Sequence, residues 1–326
     1  MTLKTGQKIV VLATGGTIAG LSTGADPSRY QAAQVPIDAL LSRSQLSLAE
    51  LAPGCRLHTE QVAQIDSKSM SHAIWAELAT RCAAHLADPE VLGLVITHGT
   101  DTVEETAFFL QSVLRPRKPV VMTCAMLPAN APEPDGPGNL RDALRWLVHA
   151  AHTPERPSSS QTVVVLAGEV HAAHRIQKVT AQSLQAFASG PAGPVARVAS
   201  GHVQVMDDTP APVWAAPSVD VLPPAATWPE VRVVMSHAQA DGREVRALSQ
   251  SSTPPAGWVV AATGAGSIHV QLEQALREAE QRGARILRAT RCVWGRADSD
   301  DGRPFEAAGG LNPVKARIAL LLELMA

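Results

Sequence analysis

The chain has few of the features that mark nucleic-acid-binding or membrane-spanning proteins. Its 326 residues include one tyrosine and four phenylalanines, and its formal net charge is −2. A nucleic-acid surface usually needs a basic stripe, often with aromatic side chains on which bases stack, and neither is present. No apolar run reaches the roughly 18 residues that a membrane-spanning helix needs. We therefore expect no nucleic acid and no membrane among its partners, and we expect a cytoplasmic location.

Cysteine is also scarce, and its spacing suggests neither a zinc site nor a disulfide framework. The four cysteines are scattered, without a Cys-x-x-Cys pair: Cys55, Cys82, Cys124 and Cys292. In a chain of this size such cysteines usually behave as small buried hydrophobic residues. His171 and His174 lie close to Glu169, but a histidine pair without a convincing third ligand is usually structural or exposed. The sequence predicts no metal site.

Short apolar runs alternate with longer amphipathic segments, which predicts an α/β protein with a largely parallel sheet. Strands are predicted over residues 9–13, 91–97, 119–122, 162–167, 231–235, 258–262 and 284–289. Helices are predicted over residues 69–86, 139–150 and 268–282, and from Asn312-Pro313 to the end.

The alternation is interrupted between residues 207 and 230, which are rich in proline and alanine and have no periodicity. Such a composition is typical of a semi-rigid linker. A chain of 326 residues is also longer than one average core requires. We therefore predict a larger N-terminal domain over residues 1–206, with a mixed or parallel sheet flanked by helices. A smaller parallel α/β domain is predicted over residues 231–326.

The first functional motif, Thr14-Gly15-Gly16-Thr17-Ile18-Ala19-Gly20, directly follows the first predicted strand. Open parallel sheets bind ligands at the carboxyl ends of their strands. Glycines there let the backbone approach a ligand and expose its N–H groups. The Gly-x-Gly-x-x-Gly spacing of a dinucleotide site and the Lys-Ser/Thr pair of a phosphate loop are both missing. The motif therefore indicates a ligand-facing threonine rather than a nucleotide site.

The second motif, Thr97-His98-Gly99-Thr100-Asp101-Thr102, also follows a predicted strand. A hydroxyl beside a carboxylate suits activation of a nucleophile or binding of a substrate ammonium group. The same residues could also simply cap the next helix, with Thr102 as the cap and Glu104 and Glu105 in its first turn. Two threonine-bearing strand ends favour a shared active site. Ser-His-Asp catalysis is disfavoured, because no Gly-x-Ser-x-Gly elbow is present.

Together these motifs resemble the bacterial-type L-asparaginase/glutaminase family. Further matching segments are residues 118–122 with Ala125-Met126, Asp135-Gly136-Pro137 followed by Asn139-Leu140, and residues 309–313 followed by Lys315-Ala316-Arg317. The similarity extends from about residue 8 to about residue 320. It implies an L-asparagine amidohydrolase with a threonine nucleophile and an acyl-enzyme, active without a cofactor. L-glutamine would be a slower substrate. The resemblance also implies a homotetramer with sites at subunit interfaces.

The resemblance implies a role for each matching residue. Thr17 would attack the amide carbon with support from Tyr30, and Lys178 would act with Thr100 and Asp101 as a second catalytic group. Asp101 would also bind the substrate's α-ammonium group. The other substrate-binding positions would be Ser67 at the α-carboxylate, Lys68, Gly99, Ala125 and, from a neighbouring subunit, Ser267.

One position departs from the family pattern, and one family residue cannot be assigned to a single position. The serine that Ser67 matches is commonly followed by glutamine or glutamate, which helps to bind the α-ammonium, whereas Lys68 stands here. A cation facing an ammonium is unfavourable, so we expect Lys68 to point outward or to contact another group. The acidic residue near the end of the small domain is Asp298, Asp300 or Asp301, or the three form only a solvated loop. The alternatives are a glutaminase-asparaginase of broader specificity and a non-catalytic amino-acid-binding relative.

Overall fold

The computed structural model describes residues 6–22, 24, 30–44 and 47–326. The chain divides into two compact units, Met1–Val213 and Trp214–Ala326. Within the described residues, no helix has the length and apolarity needed to cross a membrane.

The first unit is built on a mixed eight-stranded sheet. Eight of the strands in this unit form the large sheet, and four form two short pairs. In chain order the strands of the unit are β1 (Lys8–Gly15), β2 (Leu21–Ser22), β3 (Tyr30–Gln31), β4 (Arg56–Ile65), β5 (Val91–Thr97), β6 (Val120–Thr123), β7 (Thr162–Leu166), β8 (Glu169–Ala172), β9 (Gln177–Lys178), β10 (Phe187–Ala188), β11 (Ala196–Ala199) and β12 (His202–Val205). The large sheet has the order β12-β11-β8-β7-β6-β5-β1-β4, while β2 pairs with β3 and β9 with β10. Pairing is parallel from β4 to β7 and antiparallel from β7 to β12.

Helices cover both faces of this sheet, as the mixed α/β fold class predicts. They are α1 (Ile37–Arg43), α2 (Leu48–Leu51), α3 (His72–Ala87), α4 (Val103–Leu114) and α5 (Gly136–His152). The central strands are apolar along their whole length because both faces are buried. Helix α5 packs on β5, β6 and β7 through a face that includes Leu140, Leu144 and Leu147. Helices α3 and α4 pack on each other, with Trp75 stacked on Phe109 at 5.0 Å between ring centroids.

The second unit is a smaller parallel α/β domain, as the sequence predicts. Strands β13 (Val231–Met235), β14 (Gly257–Ala262), β15 (Arg285–Thr290) and β16 (Glu306–Ala307) are parallel neighbours in that order. Its helices are α6 (Arg243–Ser249), α7 (Val270–Gln281) and α8 (Pro313–Glu323). Asn312 caps α8, because its side-chain oxygen accepts the Lys315 N–H at 3.0 Å.

The structure corrects the sequence-based expectations about one helix cap, the cysteines and several strands. Thr102 occupies the cap position of α4, but its hydroxyl donates to the Ser67 carbonyl instead of accepting a helix N–H. All four cysteines are free thiols, and only Cys82 and Cys124 are fully buried; Cys55 is half-buried and Cys292 is exposed. The sequence pattern missed β4, which is half-exposed along its length, and the short antiparallel strands beyond β7.

Candidate active site

The loops that follow β1 and β5 meet backbone to backbone. Strands β1 and β5 are parallel neighbours, with Ala13 opposite Thr97, so both loops leave the same edge of the sheet. A methyl group at Gly16 would overlap the Cα and nitrogen atoms of Gly99, and Gly16 has a φ of +83°. Glycine is therefore required at position 16 both by its backbone conformation and by its neighbour. The contact places the two threonine-bearing motifs side by side.

Thr17 opens a 3₁₀ turn over Thr17–Ala19 and is only 5% exposed. Its Oγ1 atom lies 2.8 Å from the hydroxyl of Tyr30, and either group can be the donor. Tyr30 lies on β3, which pairs with β2 just after the turn, and its side chain is partly exposed. The β2–β3 hairpin thus folds the chain's one tyrosine back over the threonine.

Lys178 contacts two neighbouring polar side chains of the second loop. It lies on β9, and its Nζ atom donates to Thr100 Oγ1 at 2.9 Å and to Asp101 Oδ1 at 2.7 Å. Its own backbone N–H donates to the Oε1 atom of the buried Glu104 at 3.3 Å. Glu104, in the first turn of α4, therefore helps to hold β9 beside the loop. The Lys178, Thr100 and Asp101 side chains form a connected group, which can move or hold a proton at the Thr100 hydroxyl.

Ser67 joins a third segment to this site. It opens the 3₁₀ turn Ser67–Ser69 after β4 and is almost fully buried. Its hydroxyl accepts the Asp101 N–H at 3.2 Å. A methyl group at Gly99 would come within 2.5 Å of Ser67 Oγ, so Gly99 is needed for the two segments to approach. Three candidate residues, Ser67, Gly99 and Asp101, are thereby brought together.

Lys68 is paired with a neighbouring carboxylate. Its Nζ atom lies 3.0 Å from Asp66 Oδ2, and its side chain is 70% exposed. The hydrogen bond to Asp66 raises the Lys68 pKa above its usual value, with smaller electrostatic contributions from Asp101 and Tyr30. Lys68 directly follows Ser67 in the same turn, and Asp66 holds its ammonium group. Asp66 also accepts the Lys68 backbone N–H through Oδ1 at 3.2 Å.

His98 stabilises the backbone of the second loop through buried hydrogen bonds. Trp75 Nε1 donates to Thr106 Oγ1 at 2.9 Å, and Thr106 Oγ1 lies 3.0 Å from His98 Nε2. His98 Nδ1 lies 2.8 Å from the Gly99 carbonyl oxygen, which can only accept. The proton therefore resides on Nδ1, and Thr106 donates to Nε2. Full burial lowers the His98 pKa to about 4, so the imidazole is neutral at physiological pH.

Ala125 lies fully buried in the loop that follows β6. The Asp135 carboxylate accepts the N–H groups of Met126 and Leu127, each at 2.9 Å, and also the Asn139 side-chain amide at 3.1 Å. A methyl group at Gly136 would come within 2.9 Å of Ile18, the residue after Thr17. The Ala125 loop is therefore held beside the turn that carries Thr17.

The remaining candidates belong to the second unit. Ser267 is exposed and forms a bridge with Thr263, whose hydroxyl donates to the Ser267 carbonyl at 2.9 Å. The Asp298 carboxylate accepts from the Arg296 guanidinium. Asp300 is exposed, and the Asp301 side chain lies outside the described residues.

Sequence reasoning missed several residues that shape the site. Thr106 acts through its tertiary contacts with Trp75 and His98, and Asp66 acts through local contacts with Lys68 in the turn that it caps. The sequence pattern indicates Glu104 only as a carboxylate in the first turn of a helix. His171 is buried, with Nδ1 2.8 Å from Ser189 Oγ, and burial lowers its pKa to about 4.

Comparison with known proteins covers both units. Residues 8–211 match the family model described as Asparaginase, N-terminal, and residues 230–326 match the Glutaminase/Asparaginase C-terminal domain. Over 97% of its length the chain is 32% identical to L-asparaginase 2 of Escherichia coli K12, covering 88% of that protein. It is 31% identical to the glutaminase-asparaginase of Pseudomonas fluorescens biotype A, over 97% of the chain and 86% of that protein.

A solved structure shows the same fold. The crystal structure of a probable cytoplasmic L-asparaginase from Campylobacter jejuni matches with a TM-score of 0.85 and 31% identity. The match covers 98% of this chain and 95% of that one.

Proposed function

The chain belongs to the asparaginase family, and from that premise we propose that it hydrolyses the side-chain amide of L-asparagine to L-aspartate and ammonia. The main support for this proposal is that two threonine hydroxyls, each with a polar partner, lie at the same edge of the sheet. Thr17 lies 2.8 Å from the Tyr30 hydroxyl, and Thr100 lies 2.9 Å from Lys178 Nζ. The Gly16–Gly99 contact brings these two pairs together.

In the first step, the Thr17 hydroxyl oxygen attacks the amide carbon of the substrate. A threonine hydroxyl is a weak nucleophile at neutral pH and needs a hydrogen-bonding partner that takes its proton. Tyr30 is that partner, because its hydroxyl can accept the Thr17 proton while it gives its own proton to the amide nitrogen. The C–N bond then breaks. Ammonia leaves, and the acyl group remains on Thr17 as an ester. Backbone N–H groups beside Thr17 and Thr100 are the candidates for stabilising the negative oxygen of the intermediate.

In the second step, water attacks the ester carbon and the bond to Thr17 breaks. Thr100 is suited to orient this water, because its own hydroxyl is held by Lys178. The proton of the water passes to the Thr100 hydroxyl, whose own proton moves to Lys178 as Lys178 gives one to the Asp101 carboxylate. The reverse transfer returns a proton to the Thr17 oxygen. L-aspartate is released, and the threonine hydroxyl is restored. No metal or organic cofactor is needed for either step.

The substrate's charged end has complementary groups in the same cluster. We place its α-carboxylate at Ser67 and its α-ammonium at Asp101, as the family resemblance implies. The resemblance also implies Gly99, Ala125 and Lys68 as substrate-binding positions. L-glutamine shares the same charged end and is one methylene longer, so we propose it as the slower substrate. The named relatives include both L-asparaginases and glutaminase-asparaginases.

The proposal extends to assembly and location. We propose a cytoplasmic homotetramer in which the exposed Ser267 turn of one subunit contributes to a neighbour's site. The likeness to a cytoplasmic L-asparaginase favours this location, while a relative from Haemophilus influenzae is named as periplasmic. Light scattering coupled to gel filtration tests the tetramer, and fractionation of the source cells tests the location. A Ser267→Ala variant with unchanged kcat/KM for L-asparagine would remove Ser267 from the site.

The decisive experiment compares Thr17→Ala and Thr17→Ser in ammonia release from L-asparagine and L-glutamine. We expect Thr17→Ala to lose at least about a thousandfold in kcat, because it has no nucleophile. Thr17→Ser should keep measurable turnover. Rapid quenching and mass spectrometry should detect an aspartyl ester on the wild type and none on Thr17→Ala. Full turnover by Thr17→Ala would make Thr100 the nucleophile, and no turnover of either amide by the wild type would refute the enzyme proposal.

A further inference from the structure

Two histidines and a glutamate converge at one edge of the first unit's sheet, away from the catalytic residues. His58 and Glu60 are two residues apart on β4, so both side chains project from the same face of the strand. His85 lies in the last turn of α3, which packs on β4. One ligand-capable atom from each side chain lies within 4.8 Å of the other two. Within the described residues, no other trio of histidine, cysteine or carboxylate side chains converges in this way.

This combination of donors suits a zinc-class metal ion. Two imidazole nitrogens and one carboxylate oxygen are a common ligand set for Zn²⁺, with a fourth position left for water. Calcium and magnesium prefer sites made of oxygen atoms, so they fit this trio poorly. The three side chains come from two different elements, and a bound ion would therefore connect the end of α3 to the strand.

The distances require only small movements. Tetrahedral zinc with Zn–N bonds of about 2.0–2.1 Å keeps its ligand atoms about 3.4 Å apart. His85 Nε2 and Glu60 Oε2 are 2.8 Å apart and would open by about half an ångström around the ion. The His58 ring lies 5.5 Å from the His85 ring between centroids, and His58 is exposed and free to turn inward. The backbone of β4 and α3 does not need to move.

Glu60 is oriented by its other oxygen. Arg81 Nε lies 3.2 Å from Glu60 Oε1, which leaves Oε2 directed at His85. This contact is an ion pair, because the Nε–H of Arg81 donates to Glu77 Oε1. The positive charge of Arg81 opposes a cation, but Glu77 lies 2.6 Å from the same nitrogen and compensates for it. Both Arg81 and Glu77 are half-exposed, so solvent screens what remains.

We propose that His58, Glu60 and His85 bind one Zn²⁺-class ion, which fastens the end of α3 to the edge strand β4. The site is independent of the proposed catalysis, because His58 and Glu60 lie in the first half of β4 and Ser67 follows its far end. Metal binding should therefore stabilise the first unit and leave amide hydrolysis unchanged. The sequence alone predicted no metal, since these ligands are spread over two elements and have no recognisable spacing.

The test uses the full-length chain without a polyhistidine tag, stripped of metal by a chelator and titrated with Zn²⁺ in a calorimeter. The variants are His58→Gln, Glu60→Gln and His85→Gln, and the matched control is His202→Gln. His202 is an exposed histidine on β12, at the opposite edge of the same sheet. Co²⁺ provides a second probe, because its visible spectrum reports coordination by nitrogen and oxygen ligands. Thermal unfolding and ammonia release are recorded with and without one equivalent of Zn²⁺.

We expect one Zn²⁺ per wild-type chain, a higher Tm with the ion and unchanged ammonia release. His58→Gln and His85→Gln should each weaken binding by at least about tenfold, and His202→Gln should bind as the wild type does. Failure of the wild type to bind Zn²⁺, or equal affinity in His85→Gln, would overturn the proposal. Either result leaves the amidase proposal standing, since that depends on ammonia release alone.

Discussion

The ammonium group of Lys178 donates to the hydroxyl of Thr100 at 2.9 Å, although 78 residues separate them in the sequence. The same ammonium group donates to Asp101 at 2.7 Å, so one side chain restrains two neighbouring residues of the loop after β5. Thr100 is only 6% exposed, which shields this contact from bulk water. Such an arrangement lets the Thr100 hydroxyl exchange a proton with a group that is already in place.

Replacing Lys178 tests this arrangement. Lys178→Met should lower kcat for L-asparagine by about a hundredfold or more, because proton transfer by a positioned group contributes about 10²–10⁴ in rate. Lys178→Arg keeps the positive charge but presents a planar guanidinium, so it should recover only part of the loss. Steady-state kinetics of ammonia release measures both. A kcat for Lys178→Met within a factor of two of the wild type would exclude Lys178 from the reaction.

The contact between Gly16 and Gly99 gives a second prediction. Gly16→Ala places a methyl group on the Gly99 backbone at a positive φ, so the two loops must separate. We expect at least about a hundredfold loss of kcat/KM, since a displacement of about 1 Å in a catalytic group can cost that much. The matched control is Gly138→Ala, in α5, where an added methyl group meets nothing within 4 Å. That control should keep its activity and gain stability from the better helix propensity of alanine.

The two glycine substitutions are compared by ammonia release and by circular dichroism. If Gly16→Ala were as active as Gly138→Ala, the requirement for contact between the two loops would be wrong. Loss of folding in Gly16→Ala would be seen in the spectrum and would be distinguished from a local defect.

Sequence patterns predicted the buried central strands better than the exposed or short strands. Strands Val91–Thr97 and Val231–Met235 have the predicted bounds. The first is covered on both faces and leaves a nearly continuous apolar run. The second is still recognisable from its three valines, although Arg232 interrupts them and the strand is partly exposed. Strand Arg56–Ile65 was missed because none of its residues is fully buried and polar side chains break its apolar run. The two-residue strand that carries Lys178 is too short to leave any pattern.

The residues of the candidate site also fall into those that a local sequence pattern indicates and those that it does not. The glycine-threonine motifs could be recognised because they directly follow strong strands, where ligands of parallel sheets bind. The chain of hydrogen bonds from Trp75 through Thr106 to His98 is set by packing, and no local pattern encodes it. The Asp66–Lys68 pair is local, within the short turn that Asp66 caps, and the sequence pattern missed that turn. The role of Lys178 came from the family resemblance, and its contacts with Thr100 and Asp101 came from the fold.

The Asp66–Lys68 pair gives a third prediction, about substrate affinity. Asp66→Asn keeps a side-chain acceptor for the turn but releases the Lys68 ammonium group beside Asp101, where the substrate ammonium is proposed to bind. KM for L-asparagine should rise by only about two- to fivefold, because solvent screens an exposed charge. Lys68→Gln alone should change KM by less than about twofold, because Asp66 already balances that charge.

The double variant separates the two effects. Asp66→Asn combined with Lys68→Gln should return KM close to the wild-type value, because the unpaired cation is gone. If the double variant kept the raised KM of Asp66→Asn, the effect would come from the turn itself and not from the charge of Lys68. L-glutamine should show the same pattern, since it carries the same ammonium group.

The buried His98 gives a fourth prediction, about stability in acid. Its pKa is about 4 in the folded chain and about 6.5 when unfolded, so between these values the unfolded state binds more protons. Stability is therefore complete above about pH 6.5 and falls toward pH 4, by roughly 2 kcal/mol from this histidine at about pH 5. Urea unfolding at about pH 7.5 and 5 measures this loss. His98→Gln should lose less stability between the two pH values, whereas His202→Gln should follow the wild type because it lacks only an exposed ring. Equal acid dependence in His98→Gln and the wild type would mean that His98 takes up its proton before unfolding, at the expense of the Thr106 hydrogen bond.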